Sequence, residues 1–376
     1  RTDRMISPET IHCIALTLLP RIKPSQILEL YNAAGCASVI MENRRDLRAI
    51  APEASPRMCE IIESMDTALQ KAEKEAEFVE KHGIKCLTIA DRAYPSRLKS
   101  CIDAPLVLFT KGSADLNTRH VVSVVGTRHC TEYGKDMCRR FTGELASVAP
   151  GTLVVSGLAY GIDVHAHRGA LEAGLPTVAV LAHGLDRLYP AAHRNTAKDM
   201  LAHGGLVTEF ISGTVPDKLN FVRRNRIIAG LADATVVVES AAKGGGLITA
   251  SIAQSYGRDV CAFPGRATDE FSEGCNKLIR TGRAQLVTSA AELAEALCWD
   301  KAAENKAQAA QEKELFPVLT ADEQLVADTL AGSDGMQLNM LAAKTGIHVG
   351  KLMSLLFGLE MRGIVKSMSG SRYRLL

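Results

Sequence analysis

From residue 7 to residue 83 the apolar positions recur every three or four residues. ETIHCIALTLL, PSQILELYNAAG and EIIESMDTALQKAEKEAEFVEKHG each carry such a stripe, with Pro and Gly between them. Short helices joined by tight turns are predicted. Together they make a small bundle of the SAM or helix-hairpin-helix kind, residues 5–82. Such a bundle serves nucleic-acid contact, protein contact or plain packing, and the pattern does not choose among them.

From Ile84 the period changes. Short β-rich apolar runs follow one another: KCLTIA, LVLFTKG, HVVSVVGT, GTLVVSGLA, PTVAVLAHG, LVTEF, ATVVVES, RDVCAFPG and AQLVTS. Longer helix-like stretches such as YGKDMCRRFTGELASV, HAHRGALEAG and LITASIAQSYG lie between several of them. Near-continuous Val/Ile/Leu strands separated by helices predict a parallel sheet covered on both faces. The central domain, residues 83–299, is therefore read as an α/β, Rossmann-like doubly wound sheet.

The polar, Ala/Gln-rich KAAENKAQAAQEKELFP comes next and is read as a linker, 300–316, closed by Pro317. Beyond it, EQLVADTLA and HVGKLMSLLFGLEMRG are helical in period, and IVKSM and RYRLL, joined by SGS, form a strand pair. This predicts a winged-helix-like domain, 317–376. Its last helix carries only Lys351 and Arg362 as cations. It is expected to contact protein or to pack on its own chain rather than to read duplex DNA.

Composition narrows the class. Of 376 residues, 47% are hydrophobic and 23% charged, as in folded soluble domains. No apolar run approaches the roughly 20 residues of a membrane helix, and no hydrophobic signal-peptide segment follows RTDRMIS, so a cytoplasmic protein is expected. The sequence leaves open whether Met5 is the natural start. The ten cysteines lie singly, without a C-x-x-C pair, and are read as small core residues rather than disulfides or zinc ligands. With a formal net charge of only +2, a nucleic-acid partner has to be argued from local clusters.

Three loops at strand ends are candidates for anion contact. In VVGTRHCTEYG, Gly126 allows close backbone approach, Thr127 offers a hydroxyl and Arg128 a fork of donors. VVSGLAYGID places Ser156, Gly157 and Gly161 before a helix, and VVVESAAKGGGLITA places Gly244, Gly245 and Gly246 before another. Each alone is also what a tight strand-to-helix turn requires. Neither a Walker phosphate loop nor a G-x-G-x-x-G dinucleotide motif is present, so no cofactor is expected.

The basic segment DKLNFVRRNRIIAG gathers Lys218, Arg223, Arg224 and Arg226 around Phe221 and Asn225. An aromatic face stacks on a base and flanking cations neutralise phosphates. The alternative is a solvated helix start whose Phe faces the core. Composition does not separate the two.

Asp163, His165 and His167 invite a catalytic reading, as do His183 and His193. Histidines two apart on a helix diverge, however, so H-x-H is no metal motif. Asp163 is expected to cap the helix that follows it. No catalytic residue and no metal ligand is assigned.

Taken together, AYPSRLKSCIDAPLVLFTKG, VVGTRHCTEYG, VVSGLAYGIDVHAHRGAL, TVAVLAHGLDRLYPAAH, NFVRRNRIIAGLADATVVVES and GGGLITASIAQSYGRDVCAFPG resemble the DNA-processing protein A family (DprA/Smf), over about residues 94–297. The resemblance implies a non-enzymatic protein that binds single-stranded DNA entering in natural transformation, protects it and helps load the recombinase RecA. It also implies a homodimer through the Rossmann-like domain. Carried over by position, Arg128, Lys218, Phe221, Arg224, Asn225 and Arg226 contact DNA, while Gly126, Ser156, Gly157 and Gly245 shape the phosphate pocket. This chain departs at Tyr160, where the family pattern has Arg, and at Gly244 and Gly246, where serines are frequent. Thr127 replaces a frequent Ser and keeps its hydroxyl.

Two other classes compete. Nucleoside-monophosphate phosphoribohydrolases use a similar fold with a P-G-G-x-G-T-x-x-E motif, but KGGGLITAS lacks its Pro and its Glu. A protein-binding adaptor would act through the terminal modules instead.

Overall fold

The nine β-rich runs become nine strands of one sheet. They are β1 (Lys85–Thr88), β2 (Val107–Gly112), β3 (Val121–Val125), β4 (Leu153–Ser156), β5 (Thr177–Val180), β6 (Gly204–Thr208), β7 (Ala234–Val237), β8 (Asp259–Ala262) and β9 (Gln285–Leu286). The order across the sheet is β1-β2-β6-β5-β4-β3-β7-β8-β9. This computed structural model describes residues 6–299, 319–331, 333, 335–362, 364–368 and 372–375.

Strands β3 to β9 pair in parallel. The expected parallel pairing gives way at one edge, where β2 runs antiparallel to both β1 and β6. Apolar content could not reveal this, because Val107, Leu108 and Phe109 of β2 are as buried as any parallel strand. Along β3 the side chains alternate between two cores. Val121 and Val125 face one, Val122 and Val124 the other. Both faces are covered, so the strand reads as an unbroken apolar run.

The helices are α1 (Pro8–Thr17), α2 (Pro24–Ala34), α3 (Ala37–Glu42), α4 (Pro56–Glu63), α5 (Asp66–Lys81), α6 (Ser96–Lys99), α7 (Glu132–Val148), α8 (Ile162–Glu172), α9 (Arg194–His203), α10 (Lys218–Leu231), α11 (Gly245–Ser255), α12 (Glu273–Arg280) and α13 (Ala290–Ala296). In α1 and α4 a serine cap, Ser7 or Ser55, precedes a proline in the first turn, a strong start signal. Cys13, Ile14 and Leu16 of α1 share one core with Leu106 and Leu108, and with Ile227 and Ile228 of α10. The bundle thus packs directly on the sheet domain. The opposite face is closed by Phe141 and Leu145 of α7, Ile162 and Ala166 of α8, and Leu293 of α13.

By contact the chain divides into two compact units, Arg1–Asp300 and Lys301–Leu376. The second has its own core of Val326, Leu330, Leu341, Leu352, Leu356 and Leu359. Its helices Ala321–Leu330, Leu338–Thr345 and Val349–Met361 stand with a three-stranded antiparallel sheet, β10 (Met336–Gln337), β11 (Val365–Met368) and β12 (Arg372–Leu375), in the order β10-β12-β11. This is a winged-helix arrangement. Met5, the expected linker 300–316 and the SGS turn lie outside the described residues.

All ten cysteines are free. Cys13, Cys101, Cys138, Cys261 and Cys275 are buried, and burial pushes their thiols up. Among the described residues no helix is long and apolar enough to cross a membrane.

Candidate nucleic-acid interface

The order of the parallel strands reverses at β3, which lies between β4 and β7. Doubly wound sheets hold ligands beyond the carboxyl ends of strands at such a point. Here that position is an open cleft of about 620 Å³. Val125, which ends β3, and Gly126 to Arg128 after it form one part of its wall. The start of α11 and the amino-terminal half of α10 form others, and Tyr189, in the loop after β5, completes it.

Helical period decides which residues of α10 enter. Lys218, Phe221, Val222, Asn225 and Ile228 follow at three- or four-residue steps and line the cleft. Asp217 starts the helix by accepting from the Asn220 amide at 2.8 Å. The exposed Arg128 sets its guanidinium over the Phe221 ring, 4.9 Å from the centroid. The Tyr189 ring, 44% exposed, stands 5.9 Å from Phe221 and inclined by 58°. The cleft therefore offers two aromatic rings beside two exposed cations, Lys218 and Arg128.

The other three arginines of the segment have partners within the fold. Arg224 lies under the cleft, 2% exposed, and donates to the carbonyls of Gly157 (2.7 Å) and Val180. It ties the ends of β4 and β5 together from the floor of the cleft. Burial lowers its pKa to about 10, while the nearby Asp163 works against that loss. Arg226, 6% exposed, pairs with Glu209 and donates to the Asp103 carbonyl. Arg223 also reaches Glu209, at 2.9 Å, with its guanidinium over the Phe210 ring. Neither Arg223 nor Arg226 lines the cleft. The sequence reading set both at the DNA; here a buried carboxylate on another side of the helix pairs with both.

The glycine loops divide in the same way. Gly126, Thr127, Gly244, Gly245 and Gly246 line the cleft. A Cβ on Gly246 would stand 3.1 Å from the Gly126 Cα, so these two loops pack backbone to backbone. Gly245 has open space where a side chain would be, which lets an anion approach the start of α11 closely. The cap residue Gly244 supplies no side chain there.

Ser156, Gly157 and Gly161 do not line it. The Ser156 hydroxyl is buried and donates to the Val124 carbonyl at 2.6 Å. Gly157 leaves room for Arg224, whose guanidinium nitrogen would be 2.1 Å from a Cβ. Gly161, at φ 76°, lets its loop pass against the Thr127 carbonyl. All three build the site from behind.

Asp163 does not cap α8 as expected. It sits in the first turn, and its carboxylate accepts from the Gly157 amide (3.2 Å) and the Ala159 amide (3.4 Å), holding the preceding loop. Burial raises its pKa, opposed first by Arg224. Three of the histidines are engaged structurally. His167 meets Thr177 Oγ1 at 2.7 Å, His183 the Gly184 carbonyl at 2.8 Å, and His193 the Leu158 carbonyl at 2.8 Å. Burial lowers His167 to about 3, so it stays neutral at ordinary pH. Tyr160 stands edge-on to His193 at 4.9 Å and does not line the cleft.

Sequence reasoning passed over Tyr189, Val222 and Ile248, which line the cleft with exposed apolar surface. The helical spacing of Val222 from Lys218 and Asn225 was a usable signal for that residue. For Tyr189 there was none beyond an aromatic before Pro190 in the loop after β5.

The chain matches the family model of the DNA recombination-mediator protein A over residues 85–298 and that of the DprA winged helix domain over residues 305–371. It is 34% identical to a putative DNA processing protein DprA of Mycobacterium tuberculosis, covering 82% of this chain and 81% of that one. It is 39% identical to the DNA processing protein DprA of Bacillus subtilis, covering 58% and 72%. The X-ray structure of DNA processing protein A from Streptococcus pneumoniae superposes with a TM-score of 0.64 at 33% identity, covering 77% of this chain and 98% of that one. A structure of DNA processing protein A from Helicobacter pylori, which concerns that protein's single-stranded DNA binding mode, superposes with a TM-score of 0.52 at 28% identity, covering 58% and 96%.

Proposed function

The chain belongs to the DNA recombination-mediator protein A family, and from that premise we propose that it binds single-stranded DNA in the cleft beside β3. One observation carries the reading. A ring pair, Phe221 and Tyr189, shares one cleft with two exposed cations and a glycine-lined helix start. Stacked bases take the rings, and phosphates take Lys218, Arg128 and the backbone at Gly245. Stacking contributes about 1–3 kcal/mol per base and reads little sequence. Thr127 and Gly126 complete the phosphate contacts, and Asn225 borders them. The DNA-protecting role in natural transformation, the hand-over to RecA and a homodimer through the sheet domain extend this reading along the line of the family resemblance.

The acids of the cleft hold backbone amides. Among the described residues its lining carboxylates are Asp163 and Asp217. The first holds the Gly157 loop and the second caps α10, which supports a structural role for both. Binding without catalysis is the proposal.

The test is equilibrium binding of fluorescent oligothymidylate and of a duplex of equal length at two salt concentrations. The single strand is expected to bind more tightly, with an affinity that falls as salt rises. Equal affinity for duplex, or none for either, overturns the reading. Release of a free base from a nucleoside monophosphate would favour an enzyme instead.

A further inference from the structure

One carboxylate of the amino-terminal bundle holds the segment that leads into the cleft wall. Glu75, on α5, is only 4% exposed. Both its oxygens accept from the Ser212 amide at 3.0 Å, and the Ser212 hydroxyl donates to Oε2 at 2.5 Å. Hydrogen bonds to an ionised group are the strong ones, and a carboxylate this buried depends on them.

Ser212 lies in the segment 209–217, which carries the chain from β6 into α10. That segment ends at Pro216 and Asp217, both on the cleft wall, and the next residue is Lys218. Two further anchors hold it. The Gly213 amide, at φ 81°, donates to Asp186 at 3.0 Å, and the Gly184 amide donates to the Thr214 carbonyl at 3.3 Å. Glu75 is the anchor that the bundle supplies.

We infer that Glu75 is a positioning residue for the cleft: through it the helical bundle sets where Lys218 and Phe221 stand, and so contributes to DNA affinity without touching DNA. The inference rests on reading the cleft as a DNA site. A comparison within the bundle isolates the effect. Glu9 makes the same kind of contact, accepting from the amides of Ala37 (2.7 Å) and Ser38 (2.8 Å) and from the Ser38 hydroxyl (2.6 Å), but it acts between helices of the bundle alone.

The experiment measures oligothymidylate affinity of the full chain carrying Glu75→Gln, Ser212→Ala, both, or Glu9→Gln, together with thermal unfolding. Glu75→Gln is expected to raise Kd about three- to tenfold with unchanged stoichiometry at saturation. The double variant is expected to bind no worse than Glu75→Gln, because the two residues act through one contact. Glu9→Gln is expected to lower the unfolding midpoint and leave Kd alone. If Glu75→Gln does not fold, a weakened Ser212→Ala beside an unaffected Glu9→Gln supports the inference. Wild-type affinity in Glu75→Gln or Ser212→Ala, or equal weakening by Glu9→Gln, overturns it. A wild type that binds no DNA overturns the DNA reading itself, and the inference with it.

Discussion

Two sides of one helix meet different fates. On α10, Lys218, Phe221 and Asn225 border an open cleft, while Arg223 and Arg226, in the same stretch, turn to the buried Glu209. The residue types are nearly alike on both sides. What separates them is the turn of the helix and the presence of a carboxylate that is 3% exposed. A cation beside such a group belongs to the fold. A cation on a wall of backbone amides and rings stays available to a polyanion. Arg224 stands between the two cases, since its charge lies below the cleft while its donors serve two strand ends. A count of arginines in a basic segment therefore overstates the number that reach a ligand.

The sharpest way to break this comparison is Arg226→Ala. Leaving Glu209 buried with a single half-exposed partner is expected to cost about 3–5 kcal/mol of stability. Urea unfolding followed by the fluorescence of the buried Trp299, the chain's single tryptophan, reads it. The salt slope of DNA binding is expected to stay as in wild type, because no phosphate contact is lost. A shallower slope with unchanged stability would show that Arg226 belongs to the cleft.

Phe221→Ala tests the other side. It removes one stacking face and is expected to weaken oligothymidylate binding by about 1–3 kcal/mol, roughly 5- to 150-fold, at every salt concentration. Its urea midpoint is expected to move little, since the ring already stands at the cleft surface. A large loss of stability with intact binding would return Phe221 to the core.

The smallest effect is that of Lys218→Ala. Its signature is a slope of log affinity against log salt reduced by about 1 in magnitude, with a modest loss of affinity. An unchanged slope would place Lys218 off the phosphate path.

Much of this was legible before any coordinates. The nine apolar runs marked nine strands, and the loops after β3 and β7 were marked by Gly126 and by Gly244 to Gly246. Other features depend on the third dimension. Ser156, Gly157 and Gly161 share the glycine-rich, hydroxyl-bearing look of the lining loops, yet they serve Val124, Arg224 and Thr127 from behind. Glu209, which claims Arg223 and Arg226, precedes them by 14 and 17 residues with nothing local to flag it. Tyr189 comes from the far end of a loop after β5, and Glu75 reaches Ser212 across 137 residues. Within α10 itself the answer was available, because the helical period already separates 218, 221 and 225 from 223 and 226.

The most direct measurement is photo-crosslinking of the full chain to 5-iodouracil-substituted single-stranded DNA, with the adduct mapped by mass spectrometry. The cleft account predicts that the crosslinked base sits on Phe221 or Tyr189, and that Phe221→Ala shifts the yield toward Tyr189. Adducts confined to the winged-helix unit or to the surface bearing Arg223, with none at the two cleft rings, would contradict it.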